Sequence, residues 1–137
     1  MSDVQENAFT MSSIDDAITL RNHIISILEQ ADLEESDIKL RKSLLTFVVA
    51  GGGFNGIETV AQLNDAVRDS IKKYYKNIYM SDVRVILVNS SDKILEQVDE
   101  RLSEYALQKL PACFIIFIIP ECPQPVVTTL LEMVQCG

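Results

Sequence analysis

The sequence predicts an α/β fold with a parallel sheet, and three observations carry that prediction. Two short runs rich in strand-favouring residues, Leu44 to Ala50 and Val83 to Val88, are each followed by apolar residues at helical spacing. The first run passes into its helix through a cluster of glycines, Ala50 to Thr59 reading AGGGFNGIET. Strand, helix, strand, helix is the βαβα order that requires parallel strands joined by right-handed crossovers, half of a doubly wound fold.

Taken in order, the elements begin at Ser13-Ile14-Asp15-Asp16, a capping box with Asp in place of Glu. Ala17, Leu20, Ile24, Ile27, Leu28 and Ala31 follow at three- and four-residue steps, an amphipathic helix that ends near Asp32. The charged stretch from Asp32 to Lys42 reads as a solvated connector. LLTFVVA, from Leu44 to Ala50, is apolar throughout, as a strand buried on both faces would be. From Gly56 the period changes, and Ile57, Val60, Leu63, Val67, Ile71 and Tyr74 mark the inner face of a helix of about five turns. VRVILV is the second strand, and Val98, Leu102, Tyr105, Ala106 and Leu110 pattern a second crossover helix. The run CFIIFII at 113–119 suits a third strand, but Pro111, Pro120, Pro123 and Pro125 break up its surroundings. The last residues, VVTTLLEMVQCG, are ambiguous between helix and strand.

Composition narrows the function classes. At 137 residues with 47% apolar content, the chain fits one compact domain. Twelve Lys and Arg against twenty Asp and Glu give a net charge of −8, without a basic run and without Trp, which argues against a nucleic-acid surface. The opening MSDVQENAFTMSS has neither the basic nor the apolar region of a secretory signal. The longest apolar run, Phe114 to Ile119, falls far short of the roughly 20 residues that span a bilayer. Cys113, Cys122 and Cys136 lie outside any CxxC spacing and His23 is remote from them, so the expectation is reduced thiols and no metal site. His23 falls at the edge of the first helix's apolar stripe, with nothing nearby to make it a catalytic base.

Between a strand and a helix, each glycine of the cluster has a separate physical task. Gly51 permits the tight turn, Gly53 lets the backbone approach a pyrophosphate, and Gly56 lets helix and strand pack closely. The phosphate charge then sits at the helix N-terminus. Gly52 reads as permissive filler, while Phe54 and Asn55 fall where the loop faces a ligand. Glu58, in the first helical turn, complements the macrodipole by about 0.3–1 kcal/mol. Beside an anionic pyrophosphate, however, it is expected to point past the phosphates. At the end of the second strand, where NAD-specific sites place an acid for the ribose 2′-hydroxyl, stands Asn89. An uncharged amide removes the repulsion that excludes a 2′-phosphate, so NADPH is expected to be tolerated beside NADH; the nearest cations, Arg84 and Lys93, read as solvated surface. The 33 residues from Gly56 to Asn89 exceed the usual spacing of about 20 because NDAVRDSIKKYYKNIYM extends the helix. The tyrosines 74, 75 and 79 within it are expected to pack at core or rim.

FVVAGGGFNGIETVAQLND resembles the second, NADH-binding GxGxxGxE motif of the two-dinucleotide-fold flavoproteins, and specifically of the type II NADH dehydrogenases (NADH:quinone oxidoreductases). Gly51, Gly53, Gly56 and Glu58 meet the pattern, and the likeness extends from about Ser13 to Leu110. It implies a partial Rossmann-type dinucleotide-binding domain with a parallel sheet, inserted into a flavoprotein in which hydride passes from NADH to FAD and two electrons pass to a quinone. It also implies that Gly51, Gly53 and Gly56 carry the pyrophosphate and that Glu58 lies toward the nicotinamide end. Localisation by resemblance is cytoplasmic or peripheral to an energy-transducing membrane, and a homodimer is left open.

The chain departs from the family pattern in lacking both portions of the FAD-binding domain, so a fragment that binds nucleotide without turning it over is expected. After Leu110 the glycine-containing turn of the family is replaced by PACFIIFIIPECPQP. The expected division is therefore 1–43 for an N-terminal helix and connector, 44–110 for the NAD(P)H-binding domain, and 111–137 for a divergent tail. A non-catalytic nucleotide-binding or sensor module is the alternative, and a methyltransferase-like fold, which also has a glycine turn after its first strand, is disfavoured by the GxGxxGxE form.

Overall fold

A computed structural model of the chain describes residues 8–119. Its elements are α1 (Ile14–Leu33), α2 (Ile38–Leu44), β1 (Thr46–Ala50), α3 (Phe54–Tyr74), a 3-10 turn (Met80–Asp82), β2 (Arg84–Val88), α4 (Glu100–Ala112) and β3 (Ile115–Ile118). The strands form one parallel sheet in the order β1-β2-β3, with Thr46 opposite Arg84 and Val85 opposite Ile115. This is the α/β arrangement expected, and the run at 113–119 supplies the third strand that its composition left open. Residues 122 and 136, two of the three cysteines, and Pro120, Pro123 and Pro125 lie outside the described residues.

One cluster of apolar side chains holds these layers together. Phe47, Val85, Leu87 and Ile115 from the sheet meet Val60, Val67 and Ile71 of α3, Leu28 and Ala31 of α1, and Leu110 of α4. Alternate residues of a strand share a face and helix residues three, four and seven apart share a stripe, so these patterns meet in one core. Central β2 is buried from Val85 to Val88. β1 is not: only Phe47 is fully buried and Ala50 is exposed, because β1 is an edge of this three-stranded sheet and is paired on one side.

Several expectations are corrected. The supposed connector contains a helix, α2, whose N-cap Asp37 accepts a hydrogen bond from the Leu40 amide at 3.0 Å. Tyr74, Leu102 and Tyr105 are exposed, since each lies just off the face its helix turns to the core. Tyr79 is exposed as well, with Arg41 stacked over its ring, and Tyr75 alone of the three tyrosines is half-buried. Pro111 does not end α4 but sits in its last turn, where its missing N–H costs the ladder one hydrogen bond.

The turn out of α4 shows how the glycine expected there is replaced. Phe114 takes a left-handed conformation, φ 62°, which costs a non-glycine residue about 1–2 kcal/mol. Buried Asn64 donates from Nδ2 to the Cys113 carbonyl at 3.0 Å, and Arg68 donates to Asn64 Oδ1 at 2.9 Å while stacking over the Phe114 ring. Burial of Arg68 lowers its pKa. α3 thus braces the turn that delivers β3.

At the other end, the Ser13 capping box forms as expected, Asp16 accepting from the Ser12 and Ser13 amides at 2.9 and 3.0 Å. The Ser12 amide is the main reason the Asp16 carboxyl titrates below its ordinary value of 3.8. A depressed carboxylate contributes stability above its unfolded-state pKa and loses it as pH falls through the lower folded value. Acidification below about pH 4 is therefore expected to fray the start of α1 first, seen as movement of the Ser12 and Ser13 amide signals by NMR ahead of those in β2.

Candidate functional site

The glycine turn lies at the carboxyl end of β1, and every residue of it has a distinct constraint. The Gly51 amide donates to the Val88 carbonyl at 2.8 Å, carrying the β1-β2 ladder one residue past the strand. Gly51 then turns at φ 106°, a region that side chains avoid. Gly52 is buried: its amide donates to Asn89 Oδ1 at 3.0 Å and its carbonyl accepts from the Leu95 amide at 2.7 Å. A Cβ on Gly52 would lie 2.9 Å from the Asn89 amide and from Ile94, so this residue is closely fitted and not the filler expected.

Gly53 is the N-cap of α3, and a Cβ there would meet nothing within 4 Å. Phe54 and Asn55 are not loop residues but the exposed first turn of α3. At Gly56 a Cβ would fall 1.8 Å from the Gly51 carbonyl oxygen, so helix and turn are in backbone contact. Because α3 starts at Phe54, Glu58 belongs to the second turn, which corrects its assignment to the first. It is exposed and accepts from Gln62 Nε2 at 3.3 Å. The first turn of α3 carries no acid and no side-chain cap, so no side chain of its own offsets the positive end of its dipole.

Asn89 follows β2 directly, and its amide is occupied on both sides. Nδ2 donates to the Ser91 carbonyl at 3.1 Å and to the Lys93 carbonyl at 2.8 Å, while Oδ1 takes the Gly52 amide. Arg84 does not accompany it: it starts β2, about 13 Å of strand from Val88, and donates to Thr46 Oγ1 at 3.2 Å. Lys93 stays on the loop after Asn89, its ammonium 3.3 Å from Glu100 on the surface.

Sequence reasoning missed Ser91, Lys93 and Leu95 as contributors to the turn. They act through backbone groups, and Leu95 does so at φ 52°, for which leucine is no signal. His23 is exposed and lies against Phe9 with ring centroids 4.6 Å apart. Cys113 is a free, exposed thiol. Among the described residues no group of His, Cys, Asp and Glu could hold a metal ion. Two apolar grooves, of about 550 and 600 Å³, lie along α1, against α3 and β1 respectively. Only the second reaches the turn, at Ala50, Asn55 and Gly56.

No protein-family model matches the chain. It is 35% identical over 104 residues to a probable NADH dehydrogenase of Dictyostelium discoideum, covering 76% of this chain and 23% of that protein. It is 37% identical over 106 residues to the mitochondrial external alternative NAD(P)H-ubiquinone oxidoreductase B2 of Arabidopsis thaliana, covering 77% and 18%. With the type II NADH:quinone oxidoreductase of Mycobacterium tuberculosis the identity is 36% over 100 residues, covering 73% and 21%. The chain thus spans about a fifth of the length of these curated relatives. In fold it matches the structure of NDH2 from Plasmodium falciparum in complex with NADH, with a TM-score of 0.78 and 24% identity over 85% of this chain and 23% of that one. The sheet is accordingly Rossmann-like, and the sequence relatives place the chain in an oxidoreductase family. Over most of its length, this chain belongs to the type II and alternative NAD(P)H:quinone oxidoreductases.

Proposed function

We propose that the chain is the NAD(P)H-binding part of an FAD-dependent NADH dehydrogenase that passes hydride from NADH to FAD and electrons to a quinone. The observation that carries this reading is the glycine turn. Open space over Gly53, an uncapped helix terminus free of acid and the left-handed Gly51 fit a pyrophosphate. Gly51, Gly53 and Gly56 shape the turn, Gly52 anchors it, and the amides of Gly53, Phe54 and Asn55 are the donors for the phosphates. Glu58, one turn further along α3, stays outside the phosphate site and lies toward the nicotinamide end. Bound NADH would supply the hydride, and this chain's residues bind and orient it. The FAD belongs to the parent enzyme, and no residue here is assigned to it.

In this reading residues 44–110 are the nucleotide-binding unit, α1 is the connection from a flavin domain, and β3 from the following segment completes the sheet. Among the described residues no helix is long and apolar enough to cross a membrane. Reduction of a quinone puts the parent enzyme at the periphery of an energy-transducing membrane. Calorimetric titration of the purified 137-residue chain with NADH and with NADPH, after its visible spectrum is recorded, tests the reading. A colourless protein with saturable binding of either nucleotide is the expected result. A folded chain that binds neither would overturn it.

A further inference from the structure

We infer that Asn89 acts on the nucleotide through the glycine turn and not on its adenosine ribose, so that the loop after β2, and not the coenzyme, dictates an amide at this position. The inference rests on the nucleotide-binding reading above. A primary amide has two N–H donors, and both are spent on the Ser91 and Lys93 carbonyls, with Ser91 Oγ a further 3.4 Å contact. Its oxygen receives the Gly52 amide. The orientation is forced, because the reversed amide would set its oxygen against two carbonyls and its nitrogen against an N–H.

The opposite side of Gly52 is held by the same loop, through the Leu95 amide and the fully buried Ile94. The Gly52 peptide is therefore clamped between a side chain and a backbone group of residues 89–95. Turning Asn89 outward to a ribose would release Gly52, take the Asn89 donor from the Ser91 carbonyl and leave the Lys93 carbonyl with the Ser91 hydroxyl alone. A carboxylate would still accept from Gly52, but it would face the Ser91 and Lys93 carbonyl oxygens with negative charge and no proton. The acid usual at this place in NAD-specific sites is thus disfavoured by this loop. Equally, Asn89 has no free donor for a 2′-phosphate. Any donor must come from side chains on the loop that Asn89 holds, where Ser90 and Lys93 are exposed.

Asn89→Ala and Asn89→Asp in the full chain test this, with NADH and NADPH titrated calorimetrically and amide hydrogen exchange followed at Gly52 and Leu95. Both variants are expected to weaken both nucleotides by about tenfold, the effect of one lost buried hydrogen bond. In Asn89→Ala, which adds no charge, the NADH to NADPH ratio should stay within about threefold, and exchange at Gly52 should rise by about tenfold. A ratio that moves more than about tenfold in Asn89→Ala, with exchange at Gly52 unchanged, would overturn the inference in favour of a direct ribose contact. Should either variant not fold, Asn89→Ser, whose side chain is one bond shorter and has one donor in place of two, gives the same two readings. If the unaltered chain binds neither nucleotide, the nucleotide-binding reading fails, and the exchange rates alone decide whether Asn89 clamps Gly52.

Discussion

Gly56→Ala is expected to lower the melting temperature of this chain by about 10 °C or more, a loss of about 3 kcal/mol at the upper end for overpacking. The new Cβ would lie 1.8 Å from the Gly51 carbonyl oxygen and 2.8 Å from its carbon. Neither atom can move aside cheaply. Gly51 is fixed by its own amide on the Val88 carbonyl, and the next peptide is clamped by Asn89 and Leu95. Relief would require α3 to retreat from the sheet, and α3 carries Val60, Val67 and Ile71 into the core. Thermal unfolding by circular dichroism measures the effect. A melting point within about 2 °C of the unaltered chain would show that helix and turn are not in backbone contact.

Gly53→Val is expected to do the reverse, leaving the fold and removing the ligand. Gly53 has φ −76°, open to any residue, and no heavy atom lies within 4 Å of the position a Cβ would take. Valine is a poorer N-cap than glycine, which costs under about 1 kcal/mol, so the melting temperature should fall by a few degrees at most. The same open space is where a pyrophosphate would approach the backbone, and two methyl groups there exclude it. NADH and NADPH should each bind at least about tenfold more weakly, equivalent to about 1.4 kcal/mol. If the variant binds as tightly as the unaltered chain, the phosphates do not lie at Gly53 and the proposed orientation of the nucleotide is wrong. The two expected results, at positions three residues apart, would separate a glycine required for packing from one required for access.

The packing constraint on Gly56 was legible in the sequence, because it follows from the residue's place in a strand-turn-helix unit, whereas the close fit of Gly52 was not. The strand-helix alternation, the capping box at Ser13 and the parallel sheet were equally legible. Each depends on side-chain period or on groups within a few residues of one another, and those are present in any window of the chain. Tertiary structure decided the rest. α2 was hidden because seven residues are too few to show a period, and its cap, Asp37, looked like one more charge in a charged stretch. Tyr74, Leu102 and Tyr105 carry the right spacing yet stay exposed, since periodicity names a stripe but not how widely the neighbouring elements cover it. Arg84 was read as one of the two cations nearest Asn89. The strand between them holds them at opposite ends of the sheet, and Asn89 is turned inward by two carbonyls and an amide whose positions no residue type encodes. Local periodicity and conformational freedom determined what this chain can form. Long-range hydrogen bonding, which exists only once the chain has closed on itself, decided what its polar side chains are free to do.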